Sequence, residues 1–183
     1  MKNIIWTARI RRALTADKYC KRCRTKTAFA SSGLFRVNAQ QKHVDIWLIY
    51  KCSACDTTWN LTVLSRVNPH SISPETLDGF HENDPTLALY YGSNAPLIKK
   101  NGGEPGAPSV EIEGEQVSLE EPVRIHLMAE QVIEVKALAV LRDRLGLSRS
   151  EMSRICDSGR LRCVSGQDIA KCKLAGEIVI EIE

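Results

Sequence analysis

Long hydrophobic runs and aromatic residues are scarce in this chain of 183 residues. Phenylalanine, tryptophan and tyrosine together make up 5% of it, and no apolar stretch approaches the length of a membrane-spanning helix. The first residues, from Met1 to Trp6, lack the apolar core of a secretory signal peptide. We therefore expect a cytoplasmic protein that does not associate with membranes.

Motifs for catalysis are also lacking. The four histidines are scattered, and no activated nucleophile, glycine-rich phosphate loop or pair of catalytic carboxylates accompanies them. We expect no enzymatic activity and no small-molecule substrate, and an enzyme of unknown chemistry is kept as an alternative.

Four of the seven cysteines form two short pairs, Cys20 with Cys23 and Cys52 with Cys55. In each CxxC pair the chain can turn both sulfurs toward one point, and two such turns supply the four thiolates of a tetrahedral site. An odd number of cysteines in a chain without a signal peptide argues against a disulfide framework. The spacing predicts a structural Zn²⁺ site, with iron in the same ligand set and no metal as the alternatives.

The residues around the second cysteine pair predict a zinc ribbon. Residues 34–39 alternate, residues 44–50 form a β-branched and aromatic run, and residues 56–64 alternate again. They predict a three-stranded antiparallel sheet, with a polar turn that includes Gln41 between its first two strands. Because the middle run is apolar without interruption near its centre, we expect the middle strand to be covered on both faces.

The rest of the chain predicts helices, a linker and a second domain. A capping residue followed by proline, at Ser73 and again at Asp84, predicts two short helices. After these helices, residues 101–108 contain too many glycines and prolines for a regular helix or strand. The predicted fold is α+β, with a zinc ribbon domain over residues 1–68, short helices packed on it over 69–100, a linker over 101–109, and a strand–helix region over 110–183.

Charge is unevenly distributed, although the formal net charge is only +3. Residues 1–66 contain 13 lysines and arginines against 3 acidic residues, and residues 67–135 contain 3 against 12. A basic ribbon is suited to phosphate contacts, and it can equally be neutralised by its own thiolates or by the acidic middle of the chain. The candidate phosphate contacts on the ribbon are Lys21, Arg22 and Arg24.

Two helix patterns followed by a strand pattern occupy the C-terminal end. A helical pattern over residues 134–146 precedes a second helix start at Ser148, where Glu151 completes a capping box. Gly159 ends the second helix, and a Gly-Glu-Ile strand begins at Gly176.

In this order the segments resemble the S4 family of small RNA-binding modules, over about residues 134–183. The resemblance implies that arginines of this module contact RNA, with Arg149 and Arg160 matching the motif most directly. The full set of candidate arginines is Arg142, Arg144, Arg149, Arg154 and Arg160.

Segments along almost the whole chain carry a second resemblance. They are residues 35–39, 45–52, 58–62, 66–69 and 147–150. On these segments the chain resembles the bacterial family named domain of unknown function 1062. The resemblance implies a bacterial cytoplasmic protein and carries no activity with it.

We therefore expect a non-catalytic protein that binds structured RNA, such as ribosomal or transfer RNA, through its zinc ribbon and its S4-like module. The competing expectation is a protein-interaction adaptor, in which an edge strand of the ribbon pairs with a protein partner. The remaining cysteines, Cys156, Cys163 and Cys172, lack CxxC spacing, so no second metal site is expected.

Overall fold

A computed structural model describes residues 1–40 and 42–183, so Gln41 of the predicted polar turn lies outside the described residues. The described chain divides into two compact units. The insert unit is Arg12–Pro108, and the terminal unit combines Met1–Arg11 with Ser109–Glu183. Each unit contains a sheet and helices, so the mixed α+β class predicted from the sequence is confirmed.

Ten strands and five α-helices are present in the described part of the chain. The strands are β1 (Lys2–Ile10), β2 (Ala16–Cys20), β3 (Thr25–Gln40), β4 (His43–Cys52), β5 (Thr58–Val67), β6 (Glu104–Pro105), β7 (Val110–Glu113), β8 (Val123–Lys136), β9 (Leu161–Cys163) and β10 (Lys173–Ile182). The helices are α1 (Pro74–Glu82), α2 (Pro85–Gly92), α3 (Ala95–Lys100), α4 (Ala137–Arg144) and α5 (Arg149–Asp157). None of the helices in these described residues is both long enough and apolar enough to span a membrane.

The sheet of the insert unit is antiparallel and has the strand order β5-β4-β3-β2-β6. The three predicted strands correspond to β3, β4 and β5, but the sheet has five strands rather than three. The short strand β2 pairs with the first part of β3, and β6, inside the predicted linker, pairs with β2. Strands β2 and β6 are too short to show an alternating apolar pattern, and they are defined by their backbone pairing with β3 and β2.

One face of this sheet forms the core of the insert unit. Alternate residues of β4 are fully buried on it, because α1, α2 and α3 pack there with Phe80, Ala88 and Ile98. Phe80 meets Phe35 of β3 edge to face, with ring centroids 4.9 Å apart. The other alternate residues of β4, including Trp47, are only partly buried. The expectation that β4 is covered on both faces is therefore wrong for the second face.

The helices of the insert unit begin where the capping residues predict. Ser73 accepts a hydrogen bond from the backbone N–H of Thr76 at the start of α1, and Asp84 caps α2 in the same way. Asn94 caps a third short helix, α3, which the sequence pattern did not predict. Short helices depend on packing more than on intrinsic propensity, and α3 places Ile98 in the core.

The sheet of the terminal unit has the strand order β7-β1-β8-β10-β9. Strand β1 runs parallel to β8 and antiparallel to β7, and it buries Ile4, Trp6 and Ile10. The predicted ribbon domain over residues 1–68 included this strand, whereas in the structure β1 lies in the terminal unit. Its partners stand more than 90 residues further along the chain, and no local pattern marks that pairing.

The C-terminal elements follow the predicted order of two helices and two strands. The first helix starts three residues later than the pattern indicated, because Lys136 still pairs with Lys173 in the sheet. The second helix is capped by Ser148, and the reciprocal capping box with Glu151 is present. These elements agree with the predicted segments, while the S4-like identity of the module remains a prediction.

Candidate metal centre

The first cysteine pair lies in the tight turn between β2 and β3. Cys20 is the last residue of β2, and its carbonyl oxygen accepts a hydrogen bond of 2.8 Å from the backbone N–H of Arg24. Arg24 has a positive φ of 56°, which lets the chain reverse directly after Cys23. The CxxC segment therefore closes the hairpin between β2 and β3, and it places both cysteine side chains on the same side of the turn.

The second pair repeats this local structure between β4 and β5. The carbonyl oxygen of Cys52 accepts a hydrogen bond of 2.9 Å from the backbone N–H of Asp56, whose φ is 59°. The backbone N–H of Cys52 donates to the carbonyl of Thr57, also at 2.9 Å. We call each CxxC turn a knuckle. In both knuckles the first cysteine accepts a backbone hydrogen bond from the residue four positions later, and that residue has a positive φ.

Strand register brings the two knuckles to the same end of the sheet. Phe29 of β3 lies opposite Cys52 of β4, and Thr25 of β3 lies opposite Cys20 of β2. The backbone N–H of Ser53 also donates to the carbonyl of Ala28, at 3.0 Å. Because β3 is the common neighbour of β2 and β4, the two turns lie side by side.

The four sulfur atoms form one compact cluster, with all of them within 4.8 Å of one another. The Sγ atoms of Cys20 and Cys55 are 3.6 Å apart, and those of Cys23 and Cys52 are 3.9 Å apart. These separations are far above the S–S bond of about 2.05 Å in a disulfide. They bracket the edge of about 3.8 Å that follows for a tetrahedron of sulfurs with metal–sulfur bonds of about 2.3 Å. The cluster can therefore hold a metal ion.

Threonine hydroxyls next to the cluster set the protonation of two thiols. The hydroxyl of Thr27 lies 3.2 Å from Sγ of Cys52 and lowers the pKa of that thiol to about 6. The hydroxyl of Thr57 lies 3.1 Å from Sγ of Cys55 and lowers the pKa of Cys55. The sequence reasoning missed both threonines. Thr57 stands two residues after a cysteine, but Thr27 has no sequence signal because only the β3–β4 pairing places it beside Cys52.

The pKa of Cys23 is shifted in the opposite direction from the pKa values of Cys52 and Cys55. Its hydrogen bond with Cys55 is the largest cause, burial adds to it, and together with the other cysteines they raise the pKa of Cys23 to about 12. A metal ion that binds all four sulfurs must therefore displace the proton of the Cys23 thiol.

A comparison with protein families shows which family the chain belongs to. The profile described as "Protein of unknown function (DUF1062)" matches residues 37–167. The chain belongs to the DUF1062 family. No curated protein and no solved structure gives a significant match. The matched range of this DUF1062 protein contains Cys52 and Cys55 and starts after Cys20 and Cys23, so the family match covers half of the cysteine cluster.

The predicted phosphate contacts on the ribbon lie around the metal centre of the DUF1062 protein. Lys21, Arg22 and Arg24 are exposed in the first knuckle. Arg22 donates a long hydrogen bond of 3.5 Å to the carbonyl of Cys55, and within the described residues none of the three forms an ion pair with a carboxylate. Lys26, two residues further, is paired with Glu104. The cations at the tip of the knuckle are thus available to an external anion.

Part of the basic N-terminal charge is neutralised by the acidic middle of the chain. Arg11 forms ion pairs with Glu111, at 3.0 Å, and with Glu113, both on the neighbouring strand β7. Arg9 lies 3.8 Å from Glu113 and 3.5 Å from Glu130. Neutralisation by the acidic middle of the chain therefore applies to Arg9, Arg11 and Lys26, and in the described chain it does not reach Lys21, Arg22 and Arg24 of the first CxxC turn.

The five candidate arginines of the terminal unit of the DUF1062 protein differ in their surroundings. Arg142 is paired with Asp143 at 2.6 Å, Arg160 donates to the backbone carbonyl of Glu183, and Arg144 donates to the carbonyl of Gly114. Arg149 and Arg154 are exposed, and neither has an ion pair within the described part of the chain. Within the described residues these two of the five form no hydrogen bond or ion pair through the guanidinium group, and Arg154 also interacts electrostatically with Glu151.

A cavity of about 770 Å³ opens beside Arg149 in the terminal unit. It lies between α4, α5, β9 and the loop that leads to β10, and its floor includes the buried side chains of Met152, Leu161 and Ile169. Cys156 and Cys163 also line it. Within the described residues the four ribbon cysteines are the group suited to a metal ion. That Cys156, Cys163 and Cys172 form no second metal site remains a prediction.

Proposed function

We propose that this chain is a non-catalytic, cytoplasmic zinc-binding protein that binds structured RNA, such as ribosomal or transfer RNA. The observation that carries the proposal is the set of exposed, unpaired cations at Lys21, Arg22 and Arg24, held on a knuckle whose shape is fixed by the cysteine cluster. Fixed cations are better phosphate ligands than mobile ones, because less conformational entropy is lost on binding.

Zinc is the metal that this ligand set favours. Four thiolates in a tetrahedral arrangement suit Zn²⁺, and they leave no open coordination position for water or substrate. The proposed role is therefore structural: the metal ties the two hairpin turns together at one end of the sheet. Iron in the same ligands is the alternative, and elemental analysis with the absorption spectrum of the purified protein distinguishes the two metals.

The terminal unit supplies a second, weaker argument for RNA. The order α4, α5, β9, β10 and the capping box at Ser148 agree with the S4-like resemblance, which implies an RNA-binding module. Arg149 and Arg154 are the arginines of this unit that remain free for phosphate. Arg160, which the motif favoured, is tied to the carbonyl of Glu183, so we assign it a structural role in the proposal.

Pairing of a protein partner along the outer edge of β5 is disfavoured by Asn101. Its side-chain carbonyl accepts from the backbone N–H of Thr62 at 2.8 Å, and its side-chain amide donates to the carbonyl of Thr62 at 3.2 Å. These are the groups that an added strand would need. The adaptor hypothesis therefore has to use a surface other than this edge.

Salt dependence of RNA binding tests the proposal. Each phosphate neutralised by the protein contributes about 0.7–0.9 to the slope of log affinity against log salt concentration. A triple variant with Lys21, Arg22 and Arg24 changed to alanine should therefore flatten the slope by about 2–3 for a structured RNA hairpin. Lys99 and Lys100, exposed at the end of α3, provide the matched control when both are changed to alanine. An unchanged slope in the triple variant, or no binding of any RNA at low salt, contradicts the proposed function.

A further inference from the structure

The sheet of the insert unit has a second face that α1, α2 and α3 do not cover. On β4 this face carries Trp47, Ile49 and Lys51, which alternate with the buried residues of the core face. On β3 the register places Arg36 directly opposite Trp47 and Ala30 opposite Lys51. We call this the open face of the sheet, and its residues are Tyr19, Leu34, Arg36, Trp47, Ile49, Lys51 and Asn60.

Apolar and aromatic side chains on the open face remain accessible. Tyr19 is 61% exposed and Leu34 is 46% exposed, while Trp47 and Ile49 are partly buried between their neighbours on the sheet. Singly exposed apolar residues are ordinary, whereas Trp47 and Ile49 are neighbours on the same side of β4 and, with Arg36 opposite Trp47, form one local platform. This surface is suited to flat, partly apolar ligand groups.

Trp47 and Arg36 form a cation–π pair at the centre of the open face. The guanidinium carbon of Arg36 lies 5.9 Å from the centroid of the Trp47 ring. The nearest carboxylate on the same strand, Asp45, already accepts hydrogen bonds from the hydroxyl of Ser65 and the backbone N–H of Arg66. Within the described residues Arg36 forms no ion pair with Asp45 or with another carboxylate, so its N–H groups remain available to a ligand.

The open face has more free cations than free carboxylates. Arg36 and Lys51 are exposed, and within the described residues neither is paired with an acidic side chain. Lys26 on the same side of β3 is paired with Glu104. Among the described residues, the carboxylates of this side without an ion pair are Asp17, which is exposed, and Asp45, which is half-buried and already accepts two hydrogen bonds. Positive charge interleaved with aromatic rings favours a polyanion that also carries planar apolar groups.

We propose that the open face binds a single-stranded segment of RNA, with an unpaired base stacked on the Trp47–Arg36 pair and phosphates at Arg36 and Lys51. The inference rests on the proposed function, to which it adds the class of RNA segment and its place on the sheet. Stacking on aromatic rings and on guanidinium planes is how proteins commonly hold unpaired RNA bases. A duplex hides its bases, so it cannot use this platform.

Tryptophan fluorescence reports directly on this face. Trp6 is fully buried in the terminal unit, and Trp59 packs against Phe29 and Tyr50 on the core side of the sheet. A base that stacks on the open face should therefore quench Trp47 selectively. The probe is a single-stranded oligouridine of 12 nucleotides, titrated into the zinc-loaded full chain at low salt, with a fluorescent label on the RNA as an independent measure of binding.

Substitutions of Trp47 separate stacking from structure. Trp47→Ala should weaken oligouridine binding about 5- to 150-fold, the range that corresponds to one lost stacking interaction. Trp47→Phe should keep most of the binding and lose the fluorescence quenching. Tyr90→Ala, at an exposed aromatic residue of α2 outside the open face, is the matched control and should leave both signals unchanged. If Trp47→Ala fails to fold, the quenching of the parent chain and the charge variants still decide the question.

Charge variants test the phosphate contacts. Arg36→Gln and Lys51→Gln should each lower the salt slope for oligouridine by about 0.7, and Lys100→Gln should leave it unchanged. Binding of hairpin RNA with no quenching by oligouridine overturns this inference and leaves the proposed function standing. Failure of both RNAs to bind overturns both. Dimerisation that depends on Trp47 in sedimentation would assign the face to a second copy and also overturn the inference.

Discussion

The guanidinium group of Arg144 lies over the indole ring of Trp6, 5.7 Å from the ring centroid. The same guanidinium donates a hydrogen bond of 2.6 Å to the carbonyl of Gly114, and the indole N–H of Trp6 donates to the carbonyl of Glu115 at 2.8 Å. Arg144 therefore connects α4 to β1 and to the chain after β7. An arginine that the resemblance assigned to RNA has an internal structural role in this protein.

We expect Arg144→Ala to destabilise the protein without changing its RNA affinity. Loss of one cation–π contact and one hydrogen bond should lower the free energy of unfolding by about 1–3 kcal/mol. Urea unfolding followed by far-UV circular dichroism measures this change. Arg149→Ala should show the reverse behaviour, with stability within about 0.5 kcal/mol of the parent and a flatter salt slope for hairpin RNA. Equal effects of the two variants on stability would contradict this division of roles.

Cys52→Ser should remove the bound metal and unfold the sheet of the insert unit. Cys52 is fully buried, and its loss leaves three thiolates around the ion. Metal content per chain, measured by elemental analysis after dialysis, should fall from about one to near zero. Cys172→Ser, in a cysteine outside the cluster, should keep the metal and the circular dichroism spectrum. A folded, metal-free parent protein would contradict the proposed role of the metal.

Phe80→Ala should be much more destabilising than Trp47→Ala. Phe80 is fully buried and contacts the rings of Phe35 and Tyr91, so truncation should cost about 3–5 kcal/mol of unfolding free energy. Trp47 lies on the open face and loses less buried area when truncated. Urea midpoints of the two variants measure the difference. Equal losses would show that the open face is covered in solution.

The stability contributed by Glu181 should depend on acid pH. Its side chain is 8% exposed, and hydrogen bonds from Arg124 and then Arg162 lower the pKa of its carboxyl group. A lowered pKa in the folded state stabilises the fold above the unfolded-state value of about 4.3, and this contribution is lost as pH falls through the folded-state pKa. Glu181→Gln should therefore be less stable than the parent at pH 7.

The gap between Glu181→Gln and the parent should shrink below about pH 4.3 and close once the parent carboxyl is protonated. Urea midpoints of both proteins, measured at a series of pH values, give this difference directly. Any effect of acid on the cysteine cluster is common to both proteins and cancels. Glu121→Gln, at an exposed residue, is the control and should match the parent at every pH. A constant gap for Glu181→Gln would contradict the assignment.

Local sequence signals predicted the parts of the molecule that local structure decides. The CxxC spacing located the cysteine cluster because each pair closes its own turn, and the capping residues Ser73, Asp84 and Ser148 located three helix starts. In each turn and cap the determining interactions join residues at most a few positions apart, whereas the meeting of the two CxxC turns depends on the pairing of β2, β3 and β4.

Features that depend on distant neighbours were not predictable from these patterns. The parallel pairing of β1 with β8 joins residues more than 100 positions apart, and nothing in the sequence of β1 specifies that partner. The same limit applies to Arg160, because its bond to Glu183 forms only when β9 and β10 pair. The RNA contacts assigned to these cations remain predictions, and tertiary contacts determine which of the cations are free of internal partners.

Discontinuity of the terminal unit has a consequence for how the protein is made. Strand β1 is synthesised first, yet its neighbours β7 and β8 begin only at Val110 and Val123. At 5–20 residues per second, about 5–20 s separate the emergence of β1 from that of β7. In that interval the hairpins of the insert unit can close and capture their metal. Until those strands emerge, the apolar side chains of Ile4 and Trp6 have no partners in the sheet, so β1 remains an exposed apolar segment throughout this interval.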